Sequence, residues 1–352
     1  MMNNTPRHFG TTADGWAVSL YTITNGQITA RISDFGAALV SLFVPDKDGT
    51  PRDIVLGYDD VHGYEQQTSY IGSIIGRCCN RTADAAFILN GKKYVLSSNE
   101  GKNHLHGGFK GFDKKIWHLQ HIDDNSIKLS YLSPDGEEGY PGNLNAAVIY
   151  SIKDNSLCID YYTKSDTDTL CNMTNHSYFN LNGFDSGSVL GQYIQIHSAT
   201  FSEDNKFFLP TGKILSVENT PLDLRKIQAI GADIDSDYGQ IKQAHGYNVN
   251  YVMNHHDDDK MIHFATAHAK ESGIVMELYS DMPCCEFYSG SYLRGNIQGK
   301  RGAVIDDYYG FCLEPQFAPN AVNMPHFISP ILKSDEQYHK RSVFKFCQKN
   351  LT

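Results

Sequence analysis

Short runs of alternating apolar residues, separated by turn residues, constrain this chain more than any other feature. Val18, Tyr21 and Ile23 lead into Asn25-Gly26, and Ile28, Ala30 and Ile32 follow it. Asn-Gly between such runs signals a β-hairpin, because both residues tolerate the positive φ of a type I′ turn. The device returns at Asn90-Gly91, between Phe87-Ile88-Leu89 and Tyr94-Val95-Leu96. Ile127, Leu129 and Tyr131 share one face of another predicted strand. So do Val148, Tyr150 and Ile152, and then Leu157, Ile159 and Tyr161 beyond the turn Asp154-Asn155. Helical periodicity is weak, with one short turn expected near Asp59 to Gln66, and 30 glycines and 12 prolines punctuate the rest. The pattern predicts an all-β chain: a large antiparallel β-sandwich, one domain over residues 1–352, with long loops converging on one face.

With 41% hydrophobic residues, 21 Tyr and 18 Phe in 352 positions, the chain has ample material for a core. A formal net charge of −10 with scattered basic residues lacks the cationic footprint that nucleic acid requires. No stretch approaches the ~20 apolar residues that span a bilayer, and MMNNTPRHFGTT carries no apolar signal core. Two of the eight cysteines are the adjacent Cys78-Cys79 and two the adjacent Cys284-Cys285, which suits reduced thiols better than a disulfide framework. The expectation is a soluble cytoplasmic protein, monomer or homodimer, with no membrane or nucleic-acid partner. The run His255 to Lys260, HHDDDK, reads as a solvated loop, with a metal role as the lesser alternative.

Four segments place ionisable or amide groups where a β protein does not need them: Gly76 to Arg81 with His104-Leu105-His106-Gly107-Gly108; Asn175 to Asn180; His245 to Asn248; and Phe311 to Gln316. The glycines after His106 allow close backbone approach, so its imidazole could reach a ligand or could sit in solvent. His104 and His106 form an HxH, but no third metal ligand is evident. His176, between Asn175 and Ser177, which could orient its ring, is either a core histidine or an acid/base group at neutral pH. Glu314, between Phe311-Cys312-Leu313 and Pro315, is either a desolvated base or a carboxylate satisfied by an arginine, with Arg81 a candidate partner. An acid, a base, an arginine, amides and many aromatics are groups suited to a polyhydroxylated substrate. No phosphate loop, nucleophile elbow or cofactor fingerprint is present.

The segments NRTADAAFILNGKKYVL, NHLHGGFKGFDK, SPDGEEGYPGNL, TNHSYFNL, NTPLDLR and GFCLEPQFAPNAVN follow one another in the order of the aldose 1-epimerase (galactose mutarotase) family, and the chain resembles that family from about Gly15 to Phe346. The resemblance implies a cofactor-free, metal-free enzyme on a galactose mutarotase-like supersandwich that interconverts the α and β anomers of a free hexose, galactose, glucose or a related sugar. It implies Glu314 as the base that takes the C1 hydroxyl proton and His176 as the acid that protonates the ring oxygen. His106 resembles the second histidine, and Asn80 and Arg81 the sugar-binding pair. Two positions depart from the pattern: Asn248 stands where the family usually carries Asp, and Glu286 where many members carry Gln. The expectation is a negative charge that has moved within the pocket, altering sugar preference. A non-catalytic carbohydrate-binding or sensing protein is the alternative; an epimerase of phosphorylated hexoses ranks below both, because Glu286 would repel phosphate.

Overall fold

The computed structural model describes residues 6–253, 260–295 and 298–349. Strands dominate, and every ladder between named strands is antiparallel. One nine-stranded sheet runs in the order His118–Ile122, Ser126–Ser133, Leu144–Lys153, Ser156–Ser165, Gln337–Gln348, Ile274–Ser280, Ile262–His268, Tyr193–Ile196, Gln228–Ala229. Its centre pairs the C-terminal strand Gln337–Gln348 with Ser156–Ser165 on one side and Ile274–Ser280 on the other. A five-stranded sheet takes in the N-terminal strands from Arg7–Thr11 to Pro51–Asp53. A second five-stranded sheet, ordered Pro210–Ser216, Thr200–Asp204, Asn248–Val252, Cys284–Tyr288, Cys312–Gln316, carries several of the polar residues singled out above.

The alternating residues are buried as expected. Ile127, Leu129, Val148, Tyr150, Ile152, Leu157, Ile159 and Tyr161 all contribute to one core, which also takes in Tyr251, Phe287, Phe311, Leu313 and Phe344 and so joins the large sheet to the sheet of polar residues. Tyr131 is only half-buried and packs at its edge. Asn90-Gly91 forms the expected tight loop, with φ of 52° and 76° and Leu89 paired to Lys92. Asn25-Gly26 does not. Thr24 pairs with Thr29, leaving a four-residue loop in which the Asn25 side-chain oxygen accepts from the backbone of Gln27 and Ile28, so only Gly26 takes a positive φ. The predicted turn near Asp59 is the helix Val61–Gln66, capped by Asp60, whose side chain accepts from the His62 amide at 2.9 Å. A second short helix, Gly239–Ala244, escaped the sequence reading because six residues carry too little periodicity.

Candidate active site

The site grows out of strand register. Glu286 lies directly opposite Glu314, and Asn250 opposite Glu286, on adjacent strands. Because side chains alternate, Asn248, Asn250, Glu286, Tyr288, Cys312, Glu314 and Gln316 share one face of the sheet. The face is polar and almost wholly buried: Glu286 and Glu314 are 4% and 3% exposed.

Amides knit this row together. The Cys79 thiol donates to the Gln316 side-chain oxygen at 3.3 Å, which turns the Gln316 amide nitrogen toward Asn250 Oδ1 and Glu286 Oε2, each at 3.1 Å. Asn80 Nδ2 donates to the same Glu286 oxygen at 3.2 Å, and the Asn80 backbone amide donates to His106 Nδ1 at 3.2 Å. That last bond makes Nδ1 of His106 the acceptor and leaves its proton on Nε2. Asn80 therefore ties the histidine loop to the carboxylate row. The loop itself is shaped by Gly107, whose Cβ, if present, would stand 1.9 Å from the Gly76 carbonyl oxygen. Glu138, in the Glu-Glu of SPDGEEGYPGNL, accepts from the Phe109 and Lys110 amides at 3.1 and 2.9 Å and so braces the same loop.

His176 enters from the other side. Its strand, Thr174–Asn175, pairs with Ile74–Ile75, and the His176 amide and carbonyl continue the ladder to Ser73 and Gly72. Asn175 and Ser177 do not orient the ring, contrary to expectation. Ser177 donates to Asn175, and Asn175 donates to the Gly72 carbonyl and the Tyr150 hydroxyl. The ring is held instead by aromatic neighbours: Tyr178 stacks on it at 5.0 Å, Tyr70 at 6.0 Å, and His106 meets it edge-on at 5.2 Å. Nδ1 of His176 lies 3.5 Å from Cys312 Sγ, and Nε2 lies 3.7 Å from Glu314 Oε1. The second distance is too long for a hydrogen bond. The other Glu314 oxygen, Oε2, is buried and has no hydrogen-bond partner.

Burial sets the protonation states. It pushes His176 down to about 4, and it pushes Glu314 well above the carboxylate range, with Glu286 adding to the rise. Glu286 is raised to about 8 by burial and then by Asp204, against the opposing pull of Arg81 and its amide donors. His106 is held well below its ordinary value by burial and then by His176 and Arg81. Burial thus favours the neutral form of both imidazoles and of the Glu314 carboxyl group.

Of the residues singled out from sequence, Asn80, His106, His176, Glu286 and Glu314 converge directly, and half-buried Asn248 lies on the same sheet face opposite Tyr288. Arg81 is not the partner of Glu314. Its Nε and Nη2 bind both oxygens of Glu100 at 2.8 and 2.6 Å, and its guanidinium lies over the Phe208 ring. His104 belongs to the scaffold, with Nδ1 on the Ser97 carbonyl and Nε2 on the Tyr140 hydroxyl, both ring nitrogens thus engaged. Buried Arg77 likewise serves the loop carbonyls of Ser133, Pro134 and Pro141. All eight cysteines are free. His255 to Asp259 lie outside the described residues. Among the described residues, His176, Cys312 and Glu314 have ligand atoms within 4.8 Å of one another. Burial raises the Cys312 thiol well above its usual range, which disfavours the thiolate a metal ion would need. Sequence reading missed Asn250, which register sets opposite Glu286, and Tyr70, which stacks on His176, and it gave Cys79 no role, although its thiol donates to Gln316.

The family profile of aldose 1-epimerase matches residues 19–345. The chain belongs to the aldose 1-epimerase family. Galactose mutarotase of Bos taurus is 38% identical over 329 residues, 94% of each chain. Aldose 1-epimerase of Escherichia coli K12 is 31% identical, covering 98% of this chain and 99% of its own. The crystal structure of an aldose epimerase homologue from C. elegans superposes with a TM-score of 0.87 at 28% identity, covering 95% of this chain and 100% of that one. Galactose 1-epimerase from Lactobacillus acidophilus shares the fold, with a TM-score of 0.83 at 22% identity and 98% of each chain covered. Among the described residues, no helix of this family member is long and apolar enough to cross a membrane.

Proposed function

We propose that this aldose 1-epimerase family member interconverts the anomers of a free hexose through Glu314 and His176. The observation that carries the reading is the buried, unpartnered Oε2 of Glu314 beside the His176 imidazole. A buried polar oxygen left without a hydrogen-bond partner costs about 1–3 kcal/mol, and a sugar hydroxyl removes that cost. Glu314 takes the C1 hydroxyl proton while protonated His176 gives its own to the ring oxygen, and the C1–O5 bond breaks to leave the open-chain aldehyde. Rotation about C1–C2 presents the other carbonyl face. The C5 hydroxyl then attacks C1 and returns its proton to His176, as Glu314 returns the first proton to the C1 oxygen. Nothing is consumed, so the cycle needs no cofactor.

The protonation states bear on this route. The form that burial favours, Glu314 protonated and His176 neutral, contains the same number of protons as the reactive pair, Glu314 ionised and His176 protonated. One proton shift within the site makes it competent, and its pH dependence belongs to the pair. His106 would donate from Nε2 to a sugar oxygen, with Asn80, Arg81, Asn248 and Glu286 placing the remaining hydroxyls. Eight free thiols support a reducing, cytoplasmic setting. A binding protein without turnover would have no need of an acid and base pair.

Glu314→Gln keeps the shape and loses the base. Polarimetry on freshly dissolved α-galactose and α-glucose should show the enzyme's acceleration over the spontaneous rate fall by ~10²–10⁴ while sugar binding persists. Wild-type turnover in that variant would end the proposal.

A further inference from the structure

The row of pocket-facing side chains continues past Asn250. Thr200 pairs with Val252 and Phe201 with Tyr251, and Asn250 Nδ2 donates to Ser202 Oγ at 3.2 Å, so the same register extends to residue 202. The recorded ladder with Asn248–Val252 ends at Phe201, and the pairing with Pro210–Ser216 shifts between Ser202 and Asp204, so Asp204 ends its strand just past that irregularity, alongside the strand of Asn248 and Asn250. Asp204 Oδ1 is shielded from solvent and has no hydrogen-bond partner, the same condition as the catalytic candidate Glu314. Burial raises its carboxyl to about 7 while Arg81 pulls the other way, and its charge in turn acts on Glu286. Asp204 is therefore within electrostatic reach of two residues of the pocket.

We propose that Asp204 is a substrate-binding, specificity-determining residue, accepting hydrogen bonds from sugar hydroxyls at the end of the ring distant from Glu314. The strand that carries it is three strands from that of Glu314, about 14 Å at ~4.8 Å per strand, with the strands of Asn248 and Glu286 between them. Glu314 would meet the anomeric centre and Asp204 the far hydroxyls. The negative group in this pocket then stands on the strand opposite Asn248 as well as at Glu286.

The proposal rests on the epimerase reading. The experiment is steady-state mutarotation of α-galactose and α-glucose by wild type, Asp204→Asn, Asn248→Asp and the double variant. A charge-assisted hydrogen bond lost to an amide predicts a rise in KM of about tenfold in Asp204→Asn, with kcat within about threefold. Placing the carboxylate on the opposite strand, in the double variant, should bring KM back to within about threefold of wild type, whereas Asn248→Asp alone crowds two carboxylates and raises it. An unchanged KM in Asp204→Asn overturns the proposal. So does a rise that the double variant fails to reverse, since loss of packing would not be repaired from the facing strand. If wild type shows no acceleration, the epimerase reading itself has failed, and calorimetric sugar binding by the same four proteins decides the role of Asp204 on the same criteria.

Discussion

Glu286 and Glu314 face each other across two strands, and Glu286→Gln tests what that pairing does. Directly opposed residues have Cβ atoms about 4.5–5.5 Å apart. Two carboxylate charges at ~5 Å in an effective dielectric of ~20 repel by roughly 3 kcal/mol, which corresponds to about two pKa units. The full coupling operates only when Glu286 is ionised, above its value of about 8. In the proposed mechanism the pair Glu314 and His176 works while it holds one proton. It gains a second as pH falls through the depressed value of His176, about 4, and it loses its only one as pH rises through the elevated value of Glu314. Removing the Glu286 charge lowers Glu314, so the alkaline limb of the kcat/KM profile should move to lower pH, by up to about two units. The acid limb, dominated by burial of His176, should stay or fall slightly. The assay is anomerisation followed by polarimetry or NMR saturation transfer, with the spontaneous rate subtracted at each pH. An alkaline limb unmoved in Glu286→Gln would refute the coupling, and with it the idea that Glu314 sets that limb.

Two stability predictions concern the scaffold around the site. Gly107→Ala should cost more than about 2 kcal/mol and lower the thermal midpoint together with activity, because φ is +91° and the new methyl would strike the Gly76 carbonyl; an unchanged midpoint would mean that the loop shifts freely. Lys300→Met should destabilise by about 3–5 kcal/mol in urea unfolding, since Lys300 Nζ pairs with buried Asp53 at 2.6 Å and also donates to Val40 O and Ser41 Oγ.

Much of the fold was legible because it is local. The hairpin at Asn90-Gly91 and the long pair Leu144–Lys153 with Ser156–Ser165 need only alternation and a turn. The loop at Asn25-Gly26 was misread in its turn type because the Asn25 side chain satisfies the backbone of Gln27 and Ile28, an option that dihedral preference alone does not reveal. The candidate site was legible in part. Glu314 and His176 stood out as ionisable groups in apolar surroundings, and both are buried side by side. Arg81 stood out equally, yet its guanidinium is bound to Glu100, which nothing in the local sequence foretold.

Alternation and turn residues set the long strands and the Asn90-Gly91 hairpin, and the motifs set the family and the residue types available for proton transfer, since each depends on neighbours along the chain. Only the tertiary structure decided which of those residues meet. Glu286 opposes Glu314, Cys79 turns Gln316, Asn80 links His106 to Glu286, and Asn250 reaches across to Ser202. Those relations join segments far apart in sequence. Their register is fixed by burying one face of every strand at once, because a slip of one residue would turn the carboxylate row into the core and the core into the pocket.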